Sequence, residues 1–508
     1  MQSGKLLSAL LLGLCSSTLA AVHPYSQELF YSVADAYIYR GGREGLYAST
    51  KEALEKWGNW GQPGAPALDN GQSEIKFTKL EFSRPRSVAS QYGPDDGYTG
   101  LIQAVLFEVN DRDLIGHPTP GGYRYCCTKE LVPKTKCFQD RLIYQEKEDG
   151  WPKVVDIYFK DNDTVAFSWE EAITIEETGL YYLWFVICDP ELSAATVSGS
   201  TIWKNPTGFL PGMMLPHTRF FGVMSLAYLA LGAVWGGLYI WHWVEVFTLQ
   251  HCISGVIALS MMEMSTWYFD YINFNATGYR PYVTTLYAVL LGCLRKTLSR
   301  LLVLIVAMGF GVVLPYLGAV QKKIIALGVT YIVAVTALDV VTNVGAIDDL
   351  TSTARIVLVL PVAVLDGIFI LWVFTSLSKT LAQLQTRRAG AKLDLYRRFT
   401  NTLALMVWAS VAWIAYEMYF KVTDQYNLKW RWDWITADFW HVQNLFFLCI
   451  ICFLFRPSFN STRYAYSEQE GSFWVNAPPG EDAGYVTVEG GQAGRKGEDA
   501  EGETGKLE

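Results

Sequence analysis

YVTTLYAVLLGCLRKTLSRLLVLIVAMGFGVV, residues Tyr282 to Val313, is an apolar run long enough to cross a bilayer, yet it carries Arg295, Lys296 and Arg300 near its middle. A charged side chain at bilayer depth costs about 2.5–3.5 kcal/mol or more unless a partner or water compensates it. The rest of the chain must therefore supply partners. The stretch is one long tilted helix from Tyr282, or a lumenal approach over Tyr282–Leu294 with the span starting near Leu301; the sequence leaves both open.

Apolar segments on either side answer the demand. Spans are expected at Phe220–Trp241, Phe247–Tyr268, Lys323–Thr342, Arg355–Leu377, Phe399–Phe420 and Ile435–Phe455, each near the ~20 residues that a bilayer requires, which makes seven in all. Basic residues set the orientation. The connection 378–398 holds Lys379, Arg387, Arg388, Lys392, Arg397 and Arg398, and with Lys322 and Lys323 it is placed in the cytosol. On that topology Glu263, Asp339, Glu417 and Asp438 lie toward the lumenal ends of their spans, with Arg295 and Lys296 on the same half and Asp366 near the middle of the fifth. Lys296 and Arg300, four residues apart, share a helix face. A polar cavity open to the lumen and lined by Glu263, Arg295, Lys296, Arg300, Asp339, Asp366, Glu417 and Asp438 is the expectation. Packing ion pairs or snorkelling are the plainer reading for Glu417, Asp438 and Asp339. Trp430, Trp432 and Trp434 read as an interfacial aromatic belt, and Pro361 as a kink.

Upstream of Pro216 the pattern changes to short alternating strands: Glu74–Phe82, Leu101–Val109, Lys153–Phe159, Thr164–Trp169 and Leu180–Cys188. Aromatic and β-branched residues between Gly, Asp, Asn and Pro turns predict an antiparallel β-sandwich. The fold class is thus an α+β membrane protein, a lumenal sandwich followed by a seven-helix bundle. Cys126, Cys127, Cys137 and Cys188 imply two disulfides in an oxidising compartment; adjacent Cys126 and Cys127 do not pair with each other, which leaves two connectivities. Zinc is the rival use of these thiols, without CxxC spacing to support it, so no metal is expected. Asn162-Asp163-Thr164 and Asn275-Ala276-Thr277 are glycosylation sequons on the lumenal side.

The ends are read separately. Residues 1–20 have one Lys, a short leucine-rich run and a small-residue boundary, the pattern of a signal peptide. The division expected is 1–20 signal, 21–216 sandwich, 217–456 bundle and 457–508 a disordered, polar cytosolic tail. In the tail, Tyr485 to Val488 fits a tyrosine-based sorting signal that clathrin adaptors or coats would contact.

With 51% hydrophobic residues, a net charge of −8 and no basic block, nucleic-acid binding is excluded. There is no GxSxG, HExxH or Walker A pattern, so neither an enzyme nor a cofactor is expected. A rhodopsin-like receptor lacks its D/E-R-Y and NPxxY motifs here and is the weakest reading.

Together, Arg295-Lys296-Thr297-Leu298-Ser299-Arg300-Leu301-Leu302-Val303, then Gly309-Phe310-Gly311, the ending Arg456-Pro457-Ser458, and Gly179-Leu180-Tyr181-Tyr182 with Phe185 and Cys188-Asp189-Pro190 carry a resemblance. The chain resembles the GOLD-domain seven-transmembrane family, also called lung seven-transmembrane receptors, in its Golgi-type branch, and is similar in architecture to Wntless. The resemblance covers almost everything up to about Tyr466. It implies a GOLD-type sandwich on seven helices, residence in the Golgi membrane and its endosomal and plasma-membrane routes, and a part in protein transport. Membrane lipids and a lumenal protein or lipidated cargo are the implied partners; a cation channel or mechanosensor is the implied alternative. It assigns no ligand residue.

Overall fold

The computed structural model describes residues 21–49 and 72–457, apart from 94, 121, 136, 168–171, 311, 312, 314–317, 319, 345–351, 388, 389 and 425. Residues 1–20, Tyr485 and Val488 lie outside the described residues, and so do the readings placed on them.

Residues 21–204 build two antiparallel sheets face to face. One orders strands β1 (Val22–Leu29), β12 (Thr196–Lys204), β4 (Ser73–Ser83) and β10 (Ala172–Ile175), with β9 (Val165–Phe167) also pairing β4; the other orders β2 (Tyr31–Val33), β3 (Ala36–Leu46), β11 (Gly179–Ile187), β5 (Tyr98–Glu108) and β8 (Lys153–Lys160). A small hairpin of β6 (His117–Thr119) and β7 (Gly122–Arg124) lies in the long β5–β8 connection. Alternation along β4, shifted by one residue at Lys79 (φ +47°), buries Ile75, Phe77, Leu80 and Phe82 against Ile102, Phe159, Leu183, Phe185 and Trp203 from both inner faces. Strand β11 is apolar almost throughout because it is covered twice. Its inward residues meet that core, while Trp184 and Val186 lie under Ile115, Cys126 and Leu142 of the β5–β8 connection. Two disulfides fasten this cover, Cys126–Cys188 and Cys127–Cys137, one of the two connectivities left open by the sequence.

Among the described residues seven long helices follow: α1 (Leu215–Trp241), α2 (Thr248–Thr277), α3 (Tyr282–Ala307), α4 (Val320–Val344), α5 (Ser352–Thr386), α6 (Gly390–Thr423) and α7 (Asp433–Leu454). Helices α1, α4, α5, α6 and α7 are long and apolar enough to span on composition alone. Helices α2 and α3 fall short because they carry the buried charges. Packing runs α1–α2–α3, then α3 against both α4 and α5, then α5–α6–α7 and back to α1, so α3 touches three acid-bearing neighbours.

Two expectations on the bundle change. The third helix is continuous from Tyr282 and ends at Ala307 rather than Val313, because Gly309 turns the chain at φ +81°. The connection 378–398 is not a loop: α5 and α6, at 35 and 34 residues, run through most of it. At 1.5 Å per residue each is about 50 Å long, so the pair projects ~20 Å beyond a ~30 Å hydrocarbon layer.

The sandwich is bolted to the bundle through polar and aromatic contacts. Asn275, near the end of α2, is 3% exposed; its Oδ1 accepts from Leu210 N (3.0 Å) and its Nδ2 donates to the Thr207 carbonyl (3.0 Å). The expected glycan at Asn275 conflicts with this geometry, since its attachment nitrogen is buried and already donating. Trp430 is likewise no interfacial belt residue. It is 3% exposed, packs on Tyr47 (ring centroids 5.6 Å apart) and lies so close to Gly45 that a Cβ there would meet its ring at 2.7 Å.

Candidate functional site

Helix α3 presents three cations to three helices. Arg295, fourteenth of the 26 residues and so near mid-helix, pairs with Glu263 of α2 through Nε–Oε2 and a second contact from Nη2 to Oε1 at 3.3 Å. Lys296 Nζ lies 2.7 Å from Asp339 Oδ2 of α4. Arg300 holds Asp366 of α5 in a fork, Nε–Oδ1 2.7 Å and Nη2–Oδ2 3.1 Å, with its guanidinium 4.8 Å from the centre of the Tyr331 ring. At 100° per residue, Lys296 and Arg300 are 40° apart while Arg295 is turned 100° from Lys296, which is why one pair faces α2 and two face α4 and α5.

The pairs differ in enclosure. The Arg295–Glu263 side chains are 5% and 2% exposed; Lys296–Asp339 are 37% and 17%, and Arg300–Asp366 are 36% and 32%. Gly292, one turn before Arg295, gives Glu263 room: a Cβ there would meet Oε1 at 2.8 Å. Beside the enclosed pair, Tyr228 of α1 accepts from Asn444 Nδ2 of α7 (3.1 Å), which extends the polar layer across the bundle.

A second polar group sits nearer the sandwich. His217 of α1 and Asp438 of α7 are 2.9 Å apart, with the imidazole stacked on Tyr271 (5.6 Å). Arg280 lies between Trp267 and Tyr271, 5.4 Å from each ring centre, and donates from Nε to Asp270 (3.0 Å), whose other oxygen accepts from Thr285 (2.9 Å).

Of the eight expected cavity residues, six thus form three pairs around α3, and Asp438 joins a separate histidine pair. Glu417 does not converge with them: it bonds Lys421 one turn along α6, on that helix's own surface. The sequence reading missed His217, Asp270 and Arg280. Asp270 had a signal, standing seven residues from Glu263 and so on the same face of α2. Among the described residues no group of three or more His, Cys, Asp or Glu could hold a metal ion.

A strand-built domain on seven helices, with an ion-paired third helix, defines a class of multi-pass membrane protein. Residues 216–462 match the family model described as GOST, seven transmembrane domain. It is similar to transmembrane protein 87A of Xenopus tropicalis (34% identical over 52% of this chain and 48% of the relative) and to transmembrane protein 87B of Mus musculus (33%, 51% and 46%). It also resembles membrane protein PTM1 of Saccharomyces cerevisiae, 24% identical over 74% of each chain. The chain spans about half the length of the first two relatives.

Proposed function

We propose that this chain is a non-enzymatic Golgi or endosomal membrane protein that supports protein trafficking, its sandwich meeting lumenal partners and its bundle holding a lipid or lipidated ligand. One observation carries the reading: at mid-bundle, about a third of the Lys296 and Arg300 side chains is left uncovered by protein. At hydrocarbon depth such surface has to be covered by water or by a polar headgroup, which makes the region between α3, α4 and α5 a fitting seat for an amphipathic molecule. The headgroup would lie against the two open pairs, with acyl chains along the apolar helix surfaces.

A cation channel is the second reading, since charged residues at this depth also suit a conduction path. It is disfavoured by the pairing itself: Glu263, Asp339 and Asp366 each already hold a cationic side chain and are not free to attract permeating ions. Photoreactive phosphatidylcholine incorporated with the purified chain in liposomes tests the first reading. Label on peptides of α3, α4 and α5, reduced by Lys296→Ala, supports it. Label spread evenly over all seven helices would contradict it.

A further inference from the structure

The end of the bundle away from the sandwich carries an exposed cationic surface that the ion-pair layer does not use. Lys379, Arg387, Arg397 and Arg398 are exposed on the α5–α6 hairpin, Lys322 and Lys323 on the first turn of α4, and Arg456 just after α7. Within 378–398 only Asp394 is acidic, and it is paired with Arg398 at 2.9 Å. The hairpin's other face is committed to packing. Thr380 and Tyr396 donate to the last carbonyls of α3, at Ala307 (2.9 Å) and Val306 (3.1 Å), while Leu384 and Phe399 are fully buried. The basic face is therefore held in a fixed position.

The chain leaves the bundle beside this surface. Phe455 packs edge-on against Phe399 (6.3 Å), the neighbour of Arg398, and its carbonyl accepts from Gln250 Nε2 (3.1 Å). Beyond it, residues 458–508 hold ten acidic and four basic side chains, a net of −6, against the seven exposed cations at this end of the bundle. The eleven steps of chain from Pro457 to Glu468 span at most about 40 Å, whereas Phe399 to Gly390 along α6 is only about 14 Å.

We propose that the acidic segment 468–508 docks on the basic face formed by the α5–α6 hairpin and the start of α4. Tethering places it there at an effective concentration in the millimolar range, enough for individually weak exposed pairs to add up. The anionic membrane surface is a poorer fit. Arg387 stands ~12 Å beyond Lys379 along the helix, more than the ~8 Å screening length at physiological salt. The docked segment would cover Tyr485 to Val488, so the same contact would limit access of a sorting adaptor.

The test uses the full chain in zwitterionic nanodiscs, treated with a water-soluble carbodiimide, which joins carboxylates to amines only in contact, and read by mass spectrometry. Coupling of tail carboxylates to Lys322, Lys323 or Lys379 is expected. It should disappear at about 1 M salt, where screening shortens to about 3 Å, and in the Arg387→Glu, Arg397→Glu, Arg398→Glu variant, which keeps all three amines. Couplings of Lys496 within the tail should persist throughout and show that the reagent acts; an unchanged melting temperature would show the variant folded. Absence of tail-to-helix coupling in the wild type, coupling that survives the charge reversal, or its displacement when the discs contain phosphatidylserine would overturn the proposal.

Discussion

Replacing Glu263 by Gln leaves Arg295 charged in a site where only 5% of its side chain is exposed. Breaking a buried pair by removing one partner typically costs about 3–5 kcal/mol, because the remaining charge stays desolvated. For a unit of this size, 1 kcal/mol corresponds to ~2–4 °C in melting temperature, which sets the expected drop at about 10 °C. The second substitution runs the other way. Glu263→Leu combined with Arg295→Met removes both charges and should recover much of the loss, since apolar replacements of buried pairs are often neutral or stabilising. Thermal melting of the detergent-purified chain, read by fluorescence or by aggregation, provides the assay, with Lys421→Ala as the exposed-pair control that should move the midpoint little. A Glu263→Gln shift no larger than the control's, or a double variant that falls as far as the single one, would refute the claim that this pair is enclosed and mutually compensated.

Cys126–Cys188 closes a sequence separation of 62 and Cys127–Cys137 one of 10, so chain entropy predicts losses of about 4 and ~3 kcal/mol for the respective Ser substitutions; denaturant unfolding of the chain should rank them in that order. In secretory-pathway expression, Asn162→Gln should abolish the glycosidase-sensitive mass shift because Asn162 stands exposed after β8, whereas Asn275→Gln should leave the shift intact and lower the yield of folded protein. Glu44 is buried beside His23, and burial raises its carboxyl above the ordinary value of 4.5, an effect its bond to His23 (2.8 Å) only partly offsets. The folded chain therefore binds the extra proton: the contribution of Glu44 to stability is fully present below about 4.5 and is lost as pH rises through the elevated value, a slope that Glu44→Gln should flatten in melts taken from pH 4 to 7.

How much of this could be read beforehand follows from what each residue does. Strands β4, β5, β8 and β11 were legible because one or both faces are buried and their apolar residues announce it; β4 spans Ser73–Ser83 against an expected Glu74–Phe82. Strands β1 and β12 were not. VHPYSQEL and TVSGSTIWK are polar or glycine-bearing, and they are strands because β12 lies between β1 and β4 in the sheet, a tertiary reason absent from either segment. Charge at membrane depth exposed Arg295, Lys296 and Arg300 at once, and acidic residues in apolar segments named their partners. Which acid met which base required the helix order. Asp270 and Arg280 escaped notice because Arg280 lies between Gly278 and Pro281, outside any apolar run, and reaches its partner only when α2 and α3 pack. Glu417 misled for the opposite reason: a carboxylate in an apolar segment found its cation one turn away on the same helix.

The central claim is that the partly open pairs Lys296–Asp339 and Arg300–Asp366 face a space occupied by a polar-headed amphiphile. Native mass spectrometry of the full chain, released from nanodiscs with its bound molecules intact, addresses that most directly. Retained lipid or lipidated peptide on the wild type, lost in the folded Lys296→Ala variant, is the expected result. A bare wild-type chain, together with currents in plain liposomes that Lys296→Ala alters, would contradict the account and favour conduction.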